Sequence, residues 1–275
     1  MRICGIEKNV FFTGIVSFFM DLSSEMVYPL VPLFLTGVLG VTTSVIGLIE
    51  GIAESTSSLL KVVSGRLSDR MGNRKIFMIV GYGLAALSRP ILAGAGTWHS
   101  VLTARFIDRF GKGIRTAPRD ALIAASTETP HLGQAFGFHR AMDTAGALCG
   151  PAAAFLLLTS FSQNVRTVFW ISLLPAVVAV LIIAFYIGET KAEHPLRSPS
   201  LQGAARTALD RKVIFFIAIA GFFALGNSSD VFLILKAKHA GISVPLIPVV
   251  YLVFNTSYAL TAIPSGIAAD RFGPD

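Results

Sequence analysis

Charged side chains recur at helical spacing inside the longest apolar segments of this 275-residue chain. Asp21 and Glu25 stand one helical turn apart, and Glu50, Glu54 and Lys61 share another helical face. A charge inside an apolar segment is costly, so it marks by default either a paired interior or a working site. A buried carboxylate can bind and release a proton, because burial disfavours its charge and a nearby guanidinium favours it. These residues therefore predict binding of a charged solute or of protons.

The densest charged face lies between Arg105 and Asp120. On a helix its members project within roughly 140° of one another, and they are Arg105, Asp108, Arg109, Lys112, Arg115, Arg119 and Asp120. Further along, His139 and Asp143 are one turn apart, with Arg140 beside them. We predict solute or proton handling by Asp21, Glu25, Arg105 and Arg109, with the two arginines as candidate partners of Glu25. Structural salt bridges are predicted for Arg89, Glu54, Arg119 and Asp120. The complete set of candidate solute- or proton-binding residues is Asp21, Glu25, Glu50, Glu54, Arg105, Asp108, Arg109, Lys112 and Asp230.

The composition places these charges in a lipid environment. The chain is 53% hydrophobic and 14% charged, whereas a soluble domain carries about a quarter of its residues as charges. Segments of about 20 apolar residues predict eight membrane-spanning helices, at 10–35, 45–65, 76–96, 101–126, 135–159, 166–187, 212–236 and 245–266. Lipid cannot satisfy free backbone groups, so the spans must be helices. The predicted fold class is an all-α, polytopic transmembrane bundle.

Basic residues between the spans predict the orientation. Lys and Arg collect in 66–75 and 188–212, whereas 36–44 and 97–100 contain none. By the positive-inside rule, the N-terminus and the two basic loops are cytoplasmic. The formal net charge of +7 therefore reflects topology and not a nucleic-acid partner. We predict a multi-pass protein of the bacterial inner membrane, with lipid around it and no leader to be cleaved.

A linker and an internal repeat divide the chain. Residues 188–211 are rich in proline, serine and charge, which predicts a bundle of six helices at 1–187, a cytoplasmic linker at 188–211 and the first two helices of a second bundle at 212–275. The pattern Gly65-x-x-x-Asp69-Arg70-x-Gly72 returns as Gly266-x-x-x-Asp270-Arg271-x-Gly273. Ser23-Ser24-Glu25 returns as Ser228-Ser229-Asp230. Duplicated bundles of this kind are a transporter architecture.

Three motifs resemble those of the major facilitator superfamily. The loop that carries Gly65, Asp69, Arg70, Gly72 and Arg74 resembles the signature between the second and third helices, and Gly266, Asp270 and Arg271 resemble its second copy. The run from Arg105 to Gly113 is similar to the arginine motif of the fourth helix, with Arg109 where a glycine is common. Gly137, Gly146, Gly150 and Pro151 fit the antiporter motif of the fifth helix, although Ala154 and Phe155 replace its last two glycines. Close packing by small residues also accounts for these glycines.

The resemblance implies the major facilitator fold, in which helices one, two, four, five, seven and eight border a central cavity and the signature loops act in gating. It implies secondary active transport of a small solute by alternating access, coupled to protons, by a monomer without a cofactor. The basic face of the fourth span suggests an anionic solute, such as an organic acid or a siderophore. Multidrug–proton antiport is the alternative, and the solute, the direction and the coupling ion stay open.

Two further expectations follow. A membrane-embedded enzyme is the rival class, but Ser23, Ser24 and His139 do not form a nucleophile–base pair at matched depth. His139 has no second His or Cys at ligand spacing, so we expect no metal. The chain ends at Asp275, inside the second signature loop and before its basic residues. A facilitator has about twelve helices, so we expect about four to be missing and the chain alone not to transport.

Overall fold

The structure, a computed structural model, describes residues 2–3, 5–161, 163–189, 211–226 and 229–272. It begins with a small antiparallel ribbon of two strands, β1 (Arg2–Ile3) and β2 (Ile6–Glu7). All other regular elements of the described residues are helical. The prediction of an all-α bundle is confirmed, apart from that ribbon.

Helices occupy most of the described part of each of the eight predicted spans. The helices are α1 (Lys8–Val27), α2 (Val31–Gly37), α3 (Thr43–Met71), α4 (Arg74–Ala93), α5 (Trp98–Ala125), α6 (Leu132–Ser160), α7 (Val165–Ile171), α8 (Leu173–Tyr186), α9 (Arg211–Gly226), α10 (Asp230–His239) and α11 (Ile247–Phe272). The first span is interrupted by a 3₁₀ turn at Tyr28–Leu30, since Pro29 and Pro32 cannot continue an α-helical hydrogen-bond ladder. Most of the predicted linker, 190–210, lies outside the described residues.

Length and composition alone mark four segments of the described chain as able to cross a membrane. They are Lys8–Gly37, Arg74–Ala93, Thr129–Ser160 and Val165–Tyr186. The helices α3 and α5 are 29 and 28 residues long, which is ample to span a bilayer. Their charged faces lower their apolar character, and much of the α5 face is buried among other helices.

Glycines set the closest helix contacts. A Cβ atom at Gly113 of α5 would lie 2.6 Å from the Cβ atom of Leu60 and 3.0 Å from the carbonyl oxygen of Ser57, both on α3. Gly81 of α4 faces Gly111 of α5 in the same way, with backbone against backbone. Because no side chain separates these helices, α3, α4 and α5 bring their polar faces together.

The later helices pack on the first span and on α6. The helix α11 contacts α6 and the 3₁₀ turn, and α10 contacts α2. Ile234, Leu235, Ile247 and Tyr251 join a buried apolar cluster with Leu30 and other residues at the α2 end of the first span. On this side the two halves of the chain are closed against each other.

Candidate solute and proton site

The most tightly bound charges join α3 to α5. Arg105 donates through Nε and Nη2 to the two carboxylate oxygens of Glu50, at 2.9 and 2.6 Å. The side chains of both residues are almost completely buried. A bidentate pair of this kind satisfies the planar guanidinium and both oxygens of the acid at once. The guanidinium of Arg105 is therefore already engaged by Glu50.

Asp108 is the centre of the neighbouring charges. Its carboxylate lies 3.3 Å from Nη2 of Arg89, 3.5 Å from Nη1 of Arg109 and 3.9 Å from Nη1 of Arg105. Arg89 also donates to the hydroxyl oxygens of Ser23 and Ser24 on α1, at 3.1 and 2.9 Å. This network ties α1 and α4 to α5.

The pair between Arg109 and Glu54 is the most open member of the network. Nε of Arg109 lies 2.8 Å from the Glu54 carboxylate, and the Glu54 side chain is 56% exposed. We expected a structural salt bridge for Glu54 and solute handling for Arg109, and the structure joins the two. Arg119 pairs with Asp120 at 2.9 Å, further towards the end of α5.

Glu25 has a different environment from the one we expected. We predicted Arg105 and Arg109 as its partners, but among the described residues neither forms an ion pair with it, although both are within electrostatic range. The close approach of α3 to α5 at Gly113 places Glu50 and Glu54 on those guanidiniums instead.

The carboxylate of Glu25 meets a tyrosine from the second half of the chain. Oε2 of Glu25 is buried without a hydrogen-bond partner among the described residues. The hydroxyl group of Tyr251 on α11 lies close enough to hydrogen-bond with the Glu25 carboxylate. The Tyr251 ring packs on the ring of Tyr28, with centroids 5.3 Å apart. Sequence reasoning missed both tyrosines, because it searched the spans for charges only.

Lys112 is a cation of α5 on the exposed side of the helix. It is exposed, and within the described residues no ion pair or hydrogen bond engages its amine. It lies within electrostatic range of both Asp21 and Glu25 on α1. An unpaired ammonium group on an open face is suited to attract an anionic group.

A second polar row lies where α1 faces α6. The hydroxyl group of Ser17 and Nε2 of His139 are 2.9 Å apart, and Nδ1 of His139 is 3.8 Å from the Asp143 carboxylate. Asp21 has Asp143 as an acidic neighbour. The sequence pattern indicated His139 and Asp143 but not Ser17, which is uncharged.

The motif glycines of α6 are not equivalent. A Cβ atom at Gly146 would lie 2.5 Å from the carbonyl oxygen of Phe18, and one at Gly150 would lie 2.6 Å from the Cβ atom of Glu25. Nothing lies within 4 Å of such an atom at Gly137. Pro151 is buried within the helix. The motif therefore closes α6 on α1 at Gly146 and Gly150 but not at Gly137.

The signature loop forms a tight reversal between α3 and α4. Gly72 ends α3 in the left-handed conformation, with φ of 63°, which glycine adopts without strain. Asp69 lies 3.8 Å from Arg74, and a Cβ atom at Gly65 would lie 3.3 Å from that of Ala117 on α5. Glu189 accepts from the backbone N–H groups of Arg74 and Lys75, at 3.1 and 2.9 Å. Arg70 is exposed.

The remaining candidates lie in the second half. Asp230 begins α10 and is half-buried, and the preceding Ser229 accepts from the N–H of Val231 at 3.4 Å. Gly266, Asp270 and Arg271 stand on the last turns of α11, and their side chains lie outside the described residues. No group of three His, Cys, Asp or Glu residues in the part of the chain that the structure describes could hold a metal.

Comparisons with known proteins identify the family. Residues 13–275 match the model of the Major Facilitator Superfamily. An uncharacterised MFS-type transporter of Methanocaldococcus jannaschii is 36% identical, over 98% of this chain and 68% of that protein. A protein of Cupriavidus pinatubonensis named "Probable 4-methylmuconolactone transporter" is 23% identical, over 83% of this chain and 54% of its own length.

A solved structure has the same fold. It is a bacterial homologue of the human lysosomal transporter Spinster, inward-facing and unoccupied, with a TM-score of 0.70, 15% identity, and coverage of 96% of this chain and 62% of that chain. The motifs, the helical bundle and the family match agree. The chain belongs to the Major Facilitator Superfamily, and it is a multi-pass membrane protein of a family that moves small solutes, and not an enzyme.

Proposed function

We propose that this protein carries a small anionic solute across the membrane by alternating access, coupled to protons. The observation that carries the proposal is the state of Lys112. It is the cation of α5 that faces open space without an ion pair in the described part of the chain, whereas Arg105 and Arg109 each hold a glutamate. An anionic group of the solute therefore binds at Lys112.

The acids of α1 supply the coupling. Glu25 lies within the field of Lys112, and its Oε2 atom has no hydrogen-bond partner among the described residues. When a solute anion engages Lys112, Glu25 loses much of the effect of that cation and binds a proton more readily. Solute and proton then move together through one site. Asp21, one turn away, is the second candidate for the coupling group.

The relatives support a small organic solute. One of them is named for 4-methylmuconolactone, and the family as a whole handles small molecules. Organic acids fit the basic face of α5 better than cationic drugs do, because a drug cation would be repelled by Lys112.

The test measures binding and transport separately. Radiolabelled succinate and benzoate are the probes, with the complete protein, all helices of both bundles included, in nanodiscs for binding and in liposomes with an imposed pH gradient for transport. Lys112→Gln should weaken binding by about ten- to a hundredfold, the value of one charge-assisted hydrogen bond. Lys236→Gln, an exposed lysine of α10, is the matched control and should bind as the unmodified protein does.

Glu25→Gln tests the coupling. It should abolish accumulation driven by the pH gradient and leave solute exchange within about twofold, because the site can still bind solute but not the proton. Accumulation with a normal pH dependence in Glu25→Gln would move the coupling site to Asp21. Transport of ethidium that is unaffected by Lys112→Gln would overturn the anionic solute in favour of drug efflux.

We further propose a monomer in the inner membrane with a cytoplasmic N-terminus. The bundle comprises residues 1–187, followed by a linker at 188–211 and the start of a second bundle at 212–275. In a background without Cys4 and Cys149, an impermeant thiol reagent added outside should label Val38→Cys and not Met71→Cys. Both positions are exposed, so the reverse labelling would invert the orientation.

A further inference from the structure

Three polar residues of α1 lie on one face at four-residue intervals. They are Ser17, Asp21 and Glu25, and this spacing stacks them one above another along the helix. The facing helix α6 contributes His139 and Asp143, which are also four residues apart. The two helices thus form a polar seam, defined by Ser17, Asp21, Glu25, His139 and Asp143.

At one end of the seam, direct contacts connect Ser17, His139 and Asp143. Ser17 holds Nε2 of His139 at 2.9 Å, and both side chains are buried. This contact turns Nδ1 of His139 towards Asp143, at 3.8 Å. Arg140 lies 3.7 Å from Asp143 and is 83% exposed, whereas Asp143 is 14% exposed. Asp143 is therefore partly exposed, beside a strongly exposed arginine.

At the other end of the seam, around Asp21 and Glu25, two glycines of α6 bring the helices into close contact. Gly146 faces Asp21 and Gly150 faces Glu25, with room for no further side chain at either position. The acids of α1 therefore meet α6 backbone on one side and each other along the helix. One helical turn separates Asp21 from Glu25, about 6 Å between their Cβ atoms, which one bridging water spans.

The seam contains more acid than it can pair. Asp143 Oδ1 and Glu25 Oε2 are both buried without a hydrogen-bond partner among the described residues. Asp21 is flanked by Asp143 and Glu25. Repulsion between neighbouring carboxylates is relieved when one of them binds a proton. The charged and titratable groups that face the seam are Lys112, Arg115, Arg105, Arg109, Arg119 and Asp120 of α5, Arg140 of α6 and Tyr251 of α11.

We propose that the seam is the proton path of this protein, from the partly exposed Asp143 through Asp21 to Glu25. The inference rests on the proposed function, since it supplies the route for the proton that Glu25 binds. At each step a protonated carboxyl group passes its proton to the next carboxylate. The donor becomes a carboxylate and the acceptor becomes a carboxyl group, so the number of protons does not change. His139, oriented by Ser17, is a positioning residue that holds Asp143 in place.

The test follows the protonation of Glu25 in time. The 275-residue chain is placed in nanodiscs, protons are released by photolysis of a caged proton, and the infrared carbonyl band of protonated carboxyl groups is recorded. The part of the band that Glu25→Gln removes is the Glu25 signal. Asp143→Asn should slow its appearance by at least about tenfold, because a proton relay is lost, while its final amplitude stays the same.

Control variants separate a relay from a structural role. Glu128→Gln removes a 70% exposed acid in the turn before α6 and should leave the rate unchanged. Asp143→Glu should retain most of the rate, and His139→Gln should slow it less than Asp143→Asn does. An unchanged rate in Asp143→Asn, or a lower amplitude at an unchanged rate, would overturn the path.

The same experiment distinguishes this failure from failure of the proposed function. If Glu25→Gln removes no carboxyl band, Glu25 does not bind the proton, and the proposed coupling fails. If it removes the band and Asp143→Asn keeps the rate, Glu25 is the acceptor and the path alone is wrong.

Discussion

Two helix interfaces bring charge into the interior of this bundle, and they treat it in opposite ways. At the α3–α5 interface two guanidiniums each meet a carboxylate: Arg105 meets Glu50 and Arg109 meets Glu54. At the α1–α6 interface Asp21 has Asp143 as an acidic neighbour, and two carboxylate oxygens lack a partner among the described residues. Glycines bring the helices together at both interfaces.

The difference separates charge that holds the bundle together from charge that is free to work. A buried ion pair costs desolvation energy, and its members depend on each other. Such a pair fixes helix positions, but its charges are already paired and do not bind a solute. An acid with an oxygen that has no hydrogen-bond partner keeps the ability to bind a proton. Removing one member of an ion pair and removing one such acid should therefore have different consequences.

Loss of Glu50 should have the largest effect on stability. Glu50→Ala leaves Arg105 charged, buried and without its bidentate partner, which costs about 3–5 kcal/mol. The free energy of unfolding, measured by SDS titration in bicelles, should fall by that amount. The double variant Glu50→Leu with Arg105→Met removes both charges and should recover most of the loss. A single variant as stable as the unmodified protein would contradict the structural role of the pair.

Adding one methyl group to the tightly packed α1–α6 interface should have the next largest effect on stability. In Gly150→Ala the new Cβ atom would lie 2.6 Å from that of Glu25 and 3.0 Å from the carbonyl oxygen of Leu22. Overpacking of this kind costs about 1–3 kcal/mol, read out as a lower free energy of unfolding. Gly137→Ala, on the same helix but with open space around it, should be neutral or up to about 1 kcal/mol more stable. Equal effects at the two glycines would refute close packing at Gly150.

The exposed end of the ion-pair network should contribute less. Glu54 is 56% exposed and pairs with Arg109, so solvent screens the interaction, and Glu54→Gln should cost no more than about 1 kcal/mol. The measurement is the same SDS titration, with Glu50→Gln as the buried counterpart. An equal loss in the free energy of unfolding at Glu54 and at Glu50 would mean that the second half of the chain covers the Glu54–Arg109 pair and shields it from solvent.

The sequence predicted the helices and the charged faces well, because both depend on local spacing. The eight spans follow from apolar length, and the α5 face follows from helical periodicity between Arg105 and Asp120. The boundaries were less accurate: the second span was predicted at 45–65, whereas α3 runs from Thr43 to Met71. Lipid-facing composition ends before the helix does.

The partners of the charges could not be predicted in the same way. Pairing depends on which helices approach each other, and that approach is set by contacts such as Gly113 against Ser57. The sequence does not reveal that Arg105 reaches Glu50 and not Glu25, or that Tyr251 arrives beside Glu25 from a helix more than 200 residues away. The four-residue spacing of Ser17, Asp21 and Glu25 was visible, but a hydroxyl group gains importance only when His139 is opposite it.

Substitution of Lys112 should change the stability least, and it gives the clearest contrast between an unpaired charge and the paired charges of α5. Since no described group pairs with this amine, Lys112→Met removes no interaction that the folded bundle depends on. The free energy of unfolding should change by no more than about 0.5 kcal/mol, although the same substitution should weaken binding of an anionic solute by about ten- to a hundredfold. Arg105→Met is the control from the paired region, because it leaves Glu50 buried without its partner and should destabilise the bundle strongly. If Lys112→Met destabilises the protein as much as Arg105→Met does, Lys112 belongs to the structural network, and the solute must bind elsewhere.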